Sequence, residues 1–329
     1  MTSPLIVLGV SRSGTTLLRV VLDRSPGIAI PDESFFVPLL ARRHRGSVDA
    51  ARFLDDLSRI PTIRDWGLGT ADVAPRVRDG MSAGEAIAAV YEAYAAKAGK
   101  PRWGDKTPMY MRHLSLLEGL FPQARYVHLI RDGRDAGLSF LEMPEGTFTR
   151  TWAHPRTLAE FACLWRTEVS SARALGRRVG SSRYHEVRYE RLVATPEEVV
   201  RTICSFAEIP FEPGMLDYVG AADVAEKPHQ RRLRQPPTTG LRSWRHDSPA
   251  DDVRSFEAVA GDLLAELGYE VTSASSGLSS ARADLRRGWY AARLAGWNAS
   301  VSALQRSPLW RRRHPRLGAS PTRVTQGSA

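Results

Sequence analysis

A loop of small and hydroxyl-bearing residues, with one arginine, follows the first apolar run of the chain. Leu5 to Val10 is apolar and contains β-branched residues, which predicts a buried strand. Ser11 to Gly14 predicts a turn, and from Thr15 to Leu22 apolar residues recur at helical spacing. A strand, a turn and a helix start together present backbone N–H groups and the positive end of the helix dipole. We therefore expect an anion such as phosphate or sulfate to bind at this loop.

The cation of this loop is an arginine rather than the usual lysine. The spacing from Gly9 to Gly14 matches the phosphate loop of nucleoside-triphosphate enzymes. Thr15 stands where that loop requires lysine, and Arg12 lies inside the turn instead. The loop is therefore expected to hold phosphate or sulfate without being a standard ATP site.

A second anion site is predicted at the end of another strand. Tyr126 to Ile130 reads as a strand that ends at Arg131, and Ser139 follows about two turns into the next helix. Both residues are then expected at the carboxyl edge of the sheet, where open α/β folds bind nucleotides. Arginine supplies a bidentate phosphate contact and serine a hydroxyl donor. The alternative is a solvated network of ion pairs formed by Arg131, Asp132, Arg134 and Asp135.

These two sites resemble those of sulfotransferases that use 3′-phosphoadenosine 5′-phosphosulfate (PAPS). The run Arg12-Ser13-Gly14-Thr15-Thr16 resembles the 5′-phosphosulfate loop of that family, and Arg131 with Ser139 is similar to its 3′-phosphate site. The resemblance runs in order from Leu5 to about Tyr269. It implies PAPS as the cofactor, no metal, and an α/β fold with a parallel, P-loop-like sheet flanked by helices.

Two further segments are similar to elements of the same family. Tyr189-Glu190-Arg191-Leu192 resembles a segment near the bound phosphoadenosine, and Gly240 to Arg245 resembles the loop that closes over the cofactor. The Gly-to-Trp spacing of this loop is wider than the family's, which leaves open whether Thr239, Arg242 or Ser243 makes the contact. The resemblance implies these cofactor-binding residues: Arg12, Ser13, Gly14, Thr15, Thr16, Arg131, Ser139, Tyr189, Arg242 and Trp244.

Sulfuryl transfer requires an aligned acceptor hydroxyl, a base for its proton, and positive charge near the transferring group. Glu33 follows a predicted strand and is the candidate base, as in tyrosylprotein and heparan-type enzymes of the family; Asp32 is the alternative. Lys106 resembles the family lysine that contacts the transferring group, together with Arg12, and we expect Asp105 to orient it. The non-catalytic alternatives are that Glu33 caps a helix from Phe35 and that Lys106 is a surface residue.

Other functions fit these residues less well. Phenol and steroid sulfotransferases use a histidine base, but neither His113, on a predicted helix, nor His128, in a predicted strand, fits that motif. A P-loop kinase or nucleotide-binding protein would require a lysine at the position of Thr15. It would also require an aspartate at the end of a strand to bind magnesium, and Asp105 does not follow an apolar run. A nucleic-acid-binding module would rely on the basic tail, which carries no recognisable motif. The acceptor class, whether phenol, sugar, lipid headgroup or natural product, stays open.

Strands that alternate with helices predict a parallel sheet covered on both faces. A second strand is expected over Gly27 to Pro31, and the segment from Arg42 to Gly80 is expected to form a helical cap. We predict a PAPS-binding domain over residues 1–271. Residues 272–329 are predicted as an extension with a helix from Ala281 to Leu304 and a disordered tail.

Net charge, cysteine content and segment hydrophobicity lead to expectations about the extension, the thiols and the location of the protein. The 329 residues carry a net charge of +10, and nearly all of it arises after residue 271, where ten arginines face one acid. Two cysteines, Cys163 and Cys204, lie in apolar helical patterns and are predicted as buried thiols. The absence of a signal-like or membrane-spanning segment predicts a cytoplasmic protein. The extension is expected to pack on the catalytic domain or on a second copy in a homodimer, to contact a membrane surface, or to bind nucleic acid, the least favoured of these.

Overall fold

The sheet is parallel and carries the candidate site at its carboxyl edge. The computed structural model describes residues 3–143, 154–217, 243–272 and 277–306. Within them the strands are β1 (Leu5–Leu8), β2 (Gly104–Asp105), β3 (Arg125–Ile130) and β4 (Tyr184–Arg188). Their order in the sheet is β2-β1-β3-β4, and every pair is parallel. The predicted fold class is confirmed.

Helices fill the connections between strands and follow the last strand. Those before β3 are α1 (Thr15–Asp23), α2 (Val37–Arg43), α3 (Ala50–Ser58), α4 (Pro61–Asp65), α5 (Thr70–Val73), α6 (Ala83–Lys97) and α7 (Leu114–Leu120). Those after β3 are α8 (Gly133–Leu141), α9 (Leu158–Val179), α10 (Tyr189–Ala194), α11 (Pro196–Ala207), α12 (Trp244–Asp247), α13 (Ala250–Glu266) and α14 (Gly277–Arg306). Short 3₁₀ turns occur at Ala74–Arg76, Pro108–Arg112 and Pro213–Leu216.

Side chains of β1 alternate between two buried faces of the sheet. Ile6 and Leu8 join a core cluster with residues of α2, α3, α6 and α7, whereas Leu5 and Val7 join a cluster with α1 and α11. Consecutive strand residues point to opposite faces, so an apolar residue at every position requires cover on both sides. This is why the continuous apolar run of β1 is compatible only with a sheet between two helical layers.

The strand predicted over Gly27 to Pro31 is wrong as a full strand. Only Ala29 pairs there, in a parallel bridge to Trp103, with Ala29 N donating to Arg102 O at 2.9 Å. Trp103 directly precedes β2, which has just two residues, so little extended backbone is available for a longer ladder. The predicted helix that contains His113 is likewise divided: a 3₁₀ turn covers Pro108–Arg112, and α7 begins at Leu114.

The helix α14 packs on the rest of the molecule. Ala283 and Tyr290 are buried in the same core cluster as residues of α8, α9 and α13. Arg293 forms an ion pair with Glu160 of α9 at 2.9 Å. One of the expected roles of the extension, packing on the catalytic domain, is therefore observed for this helix, while the domain boundary at residue 271 stays a prediction. Among the described residues, none of the helices has the combined length and apolar character that crossing a bilayer requires.

Candidate functional site

The loop between β1 and α1 is shaped by two residues with left-handed backbone. Arg12 has φ 72° and Gly14 has φ 89°, and Gly14 is the N-cap of α1 without any side-chain cap on that helix. Such backbone lets the chain turn tightly while its N–H groups point to one side. The first N–H groups of α1 are thus available to an anion, as the sequence predicts.

Tyr189 and Arg131 close against this loop. A Cβ at Gly14 would lie 2.5 Å from the ring of Tyr189, so only glycine permits this approach. The guanidinium carbon of Arg131 lies 4.7 Å from the centroid of the same ring. Tyr189 begins α10 immediately after β4, so loops from three neighbouring strands meet at one point of the sheet edge.

The two predicted anion sites are joined in the structure. Arg12 Nε donates a hydrogen bond of 3.1 Å to Ser139 Oγ. Arg131 Nη1 donates one of 3.2 Å to the backbone carbonyl of Arg12. The side chain of Arg12 therefore contacts a residue of the second site.

Buried polar atoms at this site fit a bound anion. Ser13 Oγ and Arg131 Nε are buried and have no hydrogen-bond partner within the part of the chain that the structure describes. Buried donors without partners carry a desolvation cost that an anionic oxygen would remove. Thr15 is also buried, and Ser139 lies with Arg12 across the loop. The residues present therefore fit a ligand with two anionic groups.

Glu33 and Lys106 form an ion pair next to α1. Lys106 Nζ donates to Glu33 Oε1 at 2.6 Å and to Thr16 Oγ1 at 3.2 Å. The Lys106 side chain is 1% exposed and that of Glu33 is 24% exposed. Burial lowers the pKa of Lys106, and the neighbouring Glu33 carboxylate counteracts that effect. The structure thus brings together three residues that the sequence placed on separate segments.

The expectation that Asp105 orients Lys106 directly is wrong. Asp105 Oδ2 accepts hydrogen bonds from Ser34 Oγ (2.8 Å), Tyr91 OH (2.8 Å) and Thr107 Oγ1 (3.2 Å). Consecutive residues of a strand point to opposite faces, which sends the Asp105 side chain away from that of Lys106. Burial raises the pKa of Asp105 to about 6. Asp105, Ser34 and Tyr110 form a buried network that the sequence analysis missed, and only the adjacency of Ser34 to Glu33 pointed to it.

The two acidic candidates for the base have different partners. Asp32 forms an ion pair with Arg19 at 3.2 Å. Glu33 does not cap a helix, because α2 begins at Val37 with Phe36 at its N-cap. The solvated network around Arg131 is also wrong: Asp132 pairs with Arg134 at 2.7 Å, and both are buried.

The predicted closing loop is only partly described. Arg242 and Thr239 lie outside the described residues. Trp244 N donates to Asp135 Oδ1 at 2.8 Å, and its ring lies 3.7 Å from the guanidinium carbon of Arg134. Burial raises the pKa of Asp135 to about 6. Trp244 is therefore packed against the first turn of α8, the helix that carries Ser139.

The two histidines considered as bases are buried or partly buried. His128 is buried within β3, accepts or donates at Nδ1 with Tyr184 OH at 2.6 Å, and has its pKa lowered to about 3 by burial. Burial and the nearby Arg42 and Arg112 lower the pKa of His113. Among the described residues there is no cluster of three histidine, cysteine or acidic side chains that could hold a metal ion. Cys163 and Cys204 are buried free thiols.

The chain is similar to known proteins over most of its length. A family model described as the sulfotransferase family matches residues 4–213, more than half of the chain. The nodulation protein NoeE of Sinorhizobium fredii is 30% identical over 302 residues, covering 81% of this chain and 66% of its own length. The protein-tyrosine sulfotransferase of Drosophila melanogaster is 26% identical over 282 residues, covering 81% and 52%. The chain thus spans about half to two thirds of the length of these curated relatives.

Solved structures share the fold. The sulfotransferase domain from the curacin biosynthetic pathway has a TM-score of 0.60 and 20% identity, covering 83% of this chain and 99% of that one. The sulfotransferase domain of the Synechococcus PCC 7002 olefin synthase has a TM-score of 0.52 and 24% identity, covering 83% and 98%. At these identities the similarity establishes the architecture of the sheet and its helices.

Proposed function

Because the chain belongs to the sulfotransferase family, we propose that it transfers a sulfuryl group from PAPS to the hydroxyl of an acceptor. The observation that carries the proposal is the Lys106–Glu33 ion pair of 2.6 Å, held at the start of α1 through Thr16. It supplies a buried cation and a partly exposed carboxylate where the anion-binding loop ends. The main alternative, a P-loop kinase or nucleotide-binding protein, would need magnesium and a lysine in place of Thr15.

In this proposal the cofactor is held at both of its anionic ends. Ser13, Thr15 and Thr16 hold the phosphosulfate with the N–H groups of α1. Arg131 and Ser139 hold the 3′-phosphate by charge-assisted hydrogen bonds, and Tyr189 lies beside them. Arg12, which reaches Ser139, would link the two ends. The buried donors Ser13 Oγ and Arg131 Nε, which lack partners in the described structure, support this assignment.

Bound PAPS supplies the sulfuryl group, whose bond to the phosphate oxygen breaks as a bond to the acceptor oxygen forms. Glu33 takes the proton of the acceptor hydroxyl, using the carboxylate oxygen that Lys106 does not engage. Lys106 holds positive charge beside the oxygen that becomes anionic, and its burial strengthens that interaction because water does not screen it. Positioning and electrostatics therefore dominate, as in phosphoryl transfer.

Binding of the desulfated cofactor, 3′-phosphoadenosine 5′-phosphate (PAP), tests the proposal. Calorimetry should show PAP binding that is independent of metal and tighter than binding of ATP with magnesium. Arg131→Ala should weaken PAP binding by roughly 1.5–3 kcal/mol, since it removes a charge-assisted contact. The control is Arg254→Ala, which removes an exposed arginine paired with Asp251. Equal PAP affinity in the wild type and Arg131→Ala would exclude the assignment of the second site.

A peripheral membrane contact is proposed for the outward face of α14. Leu285 and Trp289 are 74% and 59% exposed there, and Arg282 and Arg286 are exposed on the same turns. Apolar side chains beside arginines suit the boundary of an anionic bilayer. Full-length protein should sediment with anionic vesicles at low salt, and Trp289→Gln should reduce this. Equal sedimentation of both proteins would refute the contact. The cytoplasmic location stays a prediction.

A further inference from the structure

Phe35 has backbone geometry that a bulky side chain rarely adopts. Its φ is +56°, in the left-handed region that favours glycine, asparagine and aspartate. It lies two residues after Glu33, in the segment that connects the proposed base to α2. A conformation that is costly for phenylalanine persists only where the surrounding structure fixes it, and such residues cluster at functional sites.

Hydrogen bonds fix the backbone on both sides of Phe35. Ser34 N donates to Thr107 Oγ1 at 3.0 Å, and Val37 N donates to Tyr110 OH at 3.1 Å. Between them Phe36 is fully buried, with its ring 5.4 Å from that of Trp66. With Ser34 and Phe36 both buried, the left-handed turn directs Phe35 outward, and its side chain is 37% exposed.

Met109 lies on the segment that carries Lys106. It belongs to the turn Pro108–Arg112 and is 41% exposed. Its neighbour Tyr110 contacts the Phe35 segment twice, through Ser34 Oγ at 2.6 Å and through Val37 N. The two segments that supply the ion pair are therefore joined, and each carries one exposed apolar side chain, two residues after Glu33 or three residues after Lys106.

Exposed large apolar side chains are few in the described part of the chain. Beyond Phe35 and Met109 they are Leu285 and Trp289, both on α14. Two of the four thus lie on the two segments that supply the Glu33–Lys106 pair. Contact of these two apolar side chains with water is unfavourable. An apolar part of a ligand that covered them would remove this cost.

We propose that Phe35 and Met109 form an apolar wall of the acceptor site and select a hydroxyl carried on an aryl or alkyl group rather than on a sugar. The inference rests on the proposed sulfuryl transfer and adds the acceptor class. The acceptor places its apolar part against the two side chains and its hydroxyl toward Glu33. A sugar, whose hydroxyl groups would lose water against the apolar wall without finding partners, is disfavoured.

Binding of two hydroxyl-bearing probes to the PAP-saturated protein tests the acceptor class. By calorimetry or NMR titration, 2-naphthol should bind at least about tenfold more tightly than methyl glucopyranoside, as apolar contacts of this size give. Equal affinities, tighter binding of the glycoside, or no saturable binding of 2-naphthol would overturn the inference. A failure of PAP itself to bind would count instead against the proposed function, and 2-naphthol titrated into the free protein then still tests the wall.

Variants assign the binding to the two residues. Phe35→Asn suits the left-handed backbone and should therefore not lower the unfolding midpoint, yet it should weaken 2-naphthol binding about tenfold. Met109→Gln keeps the length of the side chain and should have the same direction of effect. Leu285→Gln is the matched control on α14 and should leave 2-naphthol binding unchanged. None of the three variants should change the affinity for PAP. Unchanged 2-naphthol affinity in both Phe35→Asn and Met109→Gln, or equal loss in the control, would refute the wall.

Discussion

Ser34 Oγ donates a buried hydrogen bond of 2.8 Å to Asp105 Oδ2, and each residue is the chain neighbour of one member of the Glu33–Lys106 pair. The two dipeptides Glu33-Ser34 and Asp105-Lys106 are thus linked twice, by this hydrogen bond and by the ion pair. Since the interior bond is shielded from water, it fixes the spacing of the two segments more firmly than the ion pair alone. The placement of the proposed base and cation therefore depends on a polar network behind them.

Ser34→Ala tests this positioning. It removes the donor to Asp105 and the partner of Tyr110, so we expect a loss of about 1–3 kcal/mol in unfolding free energy and a reduced turnover. PAP affinity, which depends on other segments, should not change. Turnover, PAP affinity and urea unfolding measured together separate the effects. Ser58→Ala is the control, because Ser58 Oγ donates to Asp55 O on an exposed helix. Unchanged turnover in Ser34→Ala would show that the network does not position the pair.

Asp105 should give the unfolding free energy a distinct pH dependence. Burial raises its pKa to about 6 in the folded protein, above the value of about 4 in an unfolded chain. Between these pH values the folded state binds more protons, so the contribution of Asp105 to stability decreases as pH rises through that window. Asp105→Asn removes this dependence. From pH 4 to pH 7 its unfolding free energy should rise relative to the wild type by roughly 2–3 kcal/mol.

Urea unfolding of both proteins at the two pH values measures the effect. Asp55→Asn is the control, because Asp55 is exposed and forms an i,i+4 pair with Arg59. It should show little such change, as exposed pairs contribute little. The same pH profile in Asp105→Asn and in the wild type would mean that Asp105 titrates normally.

Glu33→Gln should lower turnover by about 10²–10⁴ and leave PAP affinity nearly intact, because it removes a base without removing a cofactor contact. Release of PAP in the presence of an accepted hydroxyl compound measures turnover. Asp32→Asn is the matched control on the preceding residue, which pairs with Arg19. If Asp32→Asn is slow and Glu33→Gln is not, the base is Asp32.

Gly14→Ala should both destabilise the fold and weaken PAP binding. Its new Cβ would lie 2.5 Å from the ring of Tyr189, in addition to the strain of alanine at φ 89°. Gly46→Ala is the matched control, with φ 85° and open space around its Cβ. We expect the control to lose about 1–2 kcal/mol from backbone strain alone. Gly14→Ala should lose at least about 1 kcal/mol more from overpacking. Equal losses and equal PAP affinities would show that Tyr189 does not close on the loop.

Adjacent residues of α14 test its packing. Tyr290 is 4% exposed within a core cluster and Trp289 is 59% exposed. Tyr290→Ala should lower the unfolding free energy by roughly 3 kcal/mol, as removal of a buried aromatic side chain does. Trp289→Ala should change it by no more than about 0.5 kcal/mol. Denaturant unfolding of the two variants measures both changes in unfolding free energy. If both changes are small and equal, α14 is not packed on the rest of the protein in solution.

The sequence by itself determined the local elements and the class of chemistry. The β1 run, the small-residue turn and the start of α1 are encoded within fourteen consecutive residues, Leu5 to Leu18. The strand predicted over Tyr126 to Ile130 is observed at Arg125–Ile130, and the helical spacing from Thr15 to Leu22 corresponds to α1, Thr15–Asp23. Short-range periodicity and turn chemistry suffice for such features because neighbouring residues decide them.

Only the tertiary structure decided which distant side chains meet. Lys106 reaches Glu33 across 73 positions, and Arg12 reaches Ser139 across 127, because the sheet order sets β2 and β3 on either side of β1. The turning of Asp105 away from Lys106 and the outward placement of Phe35 depend on a buried network drawn from three segments. No local pattern encodes these contacts, since each arises from packing and from the need to satisfy buried polar groups, which involve residues far apart in the chain.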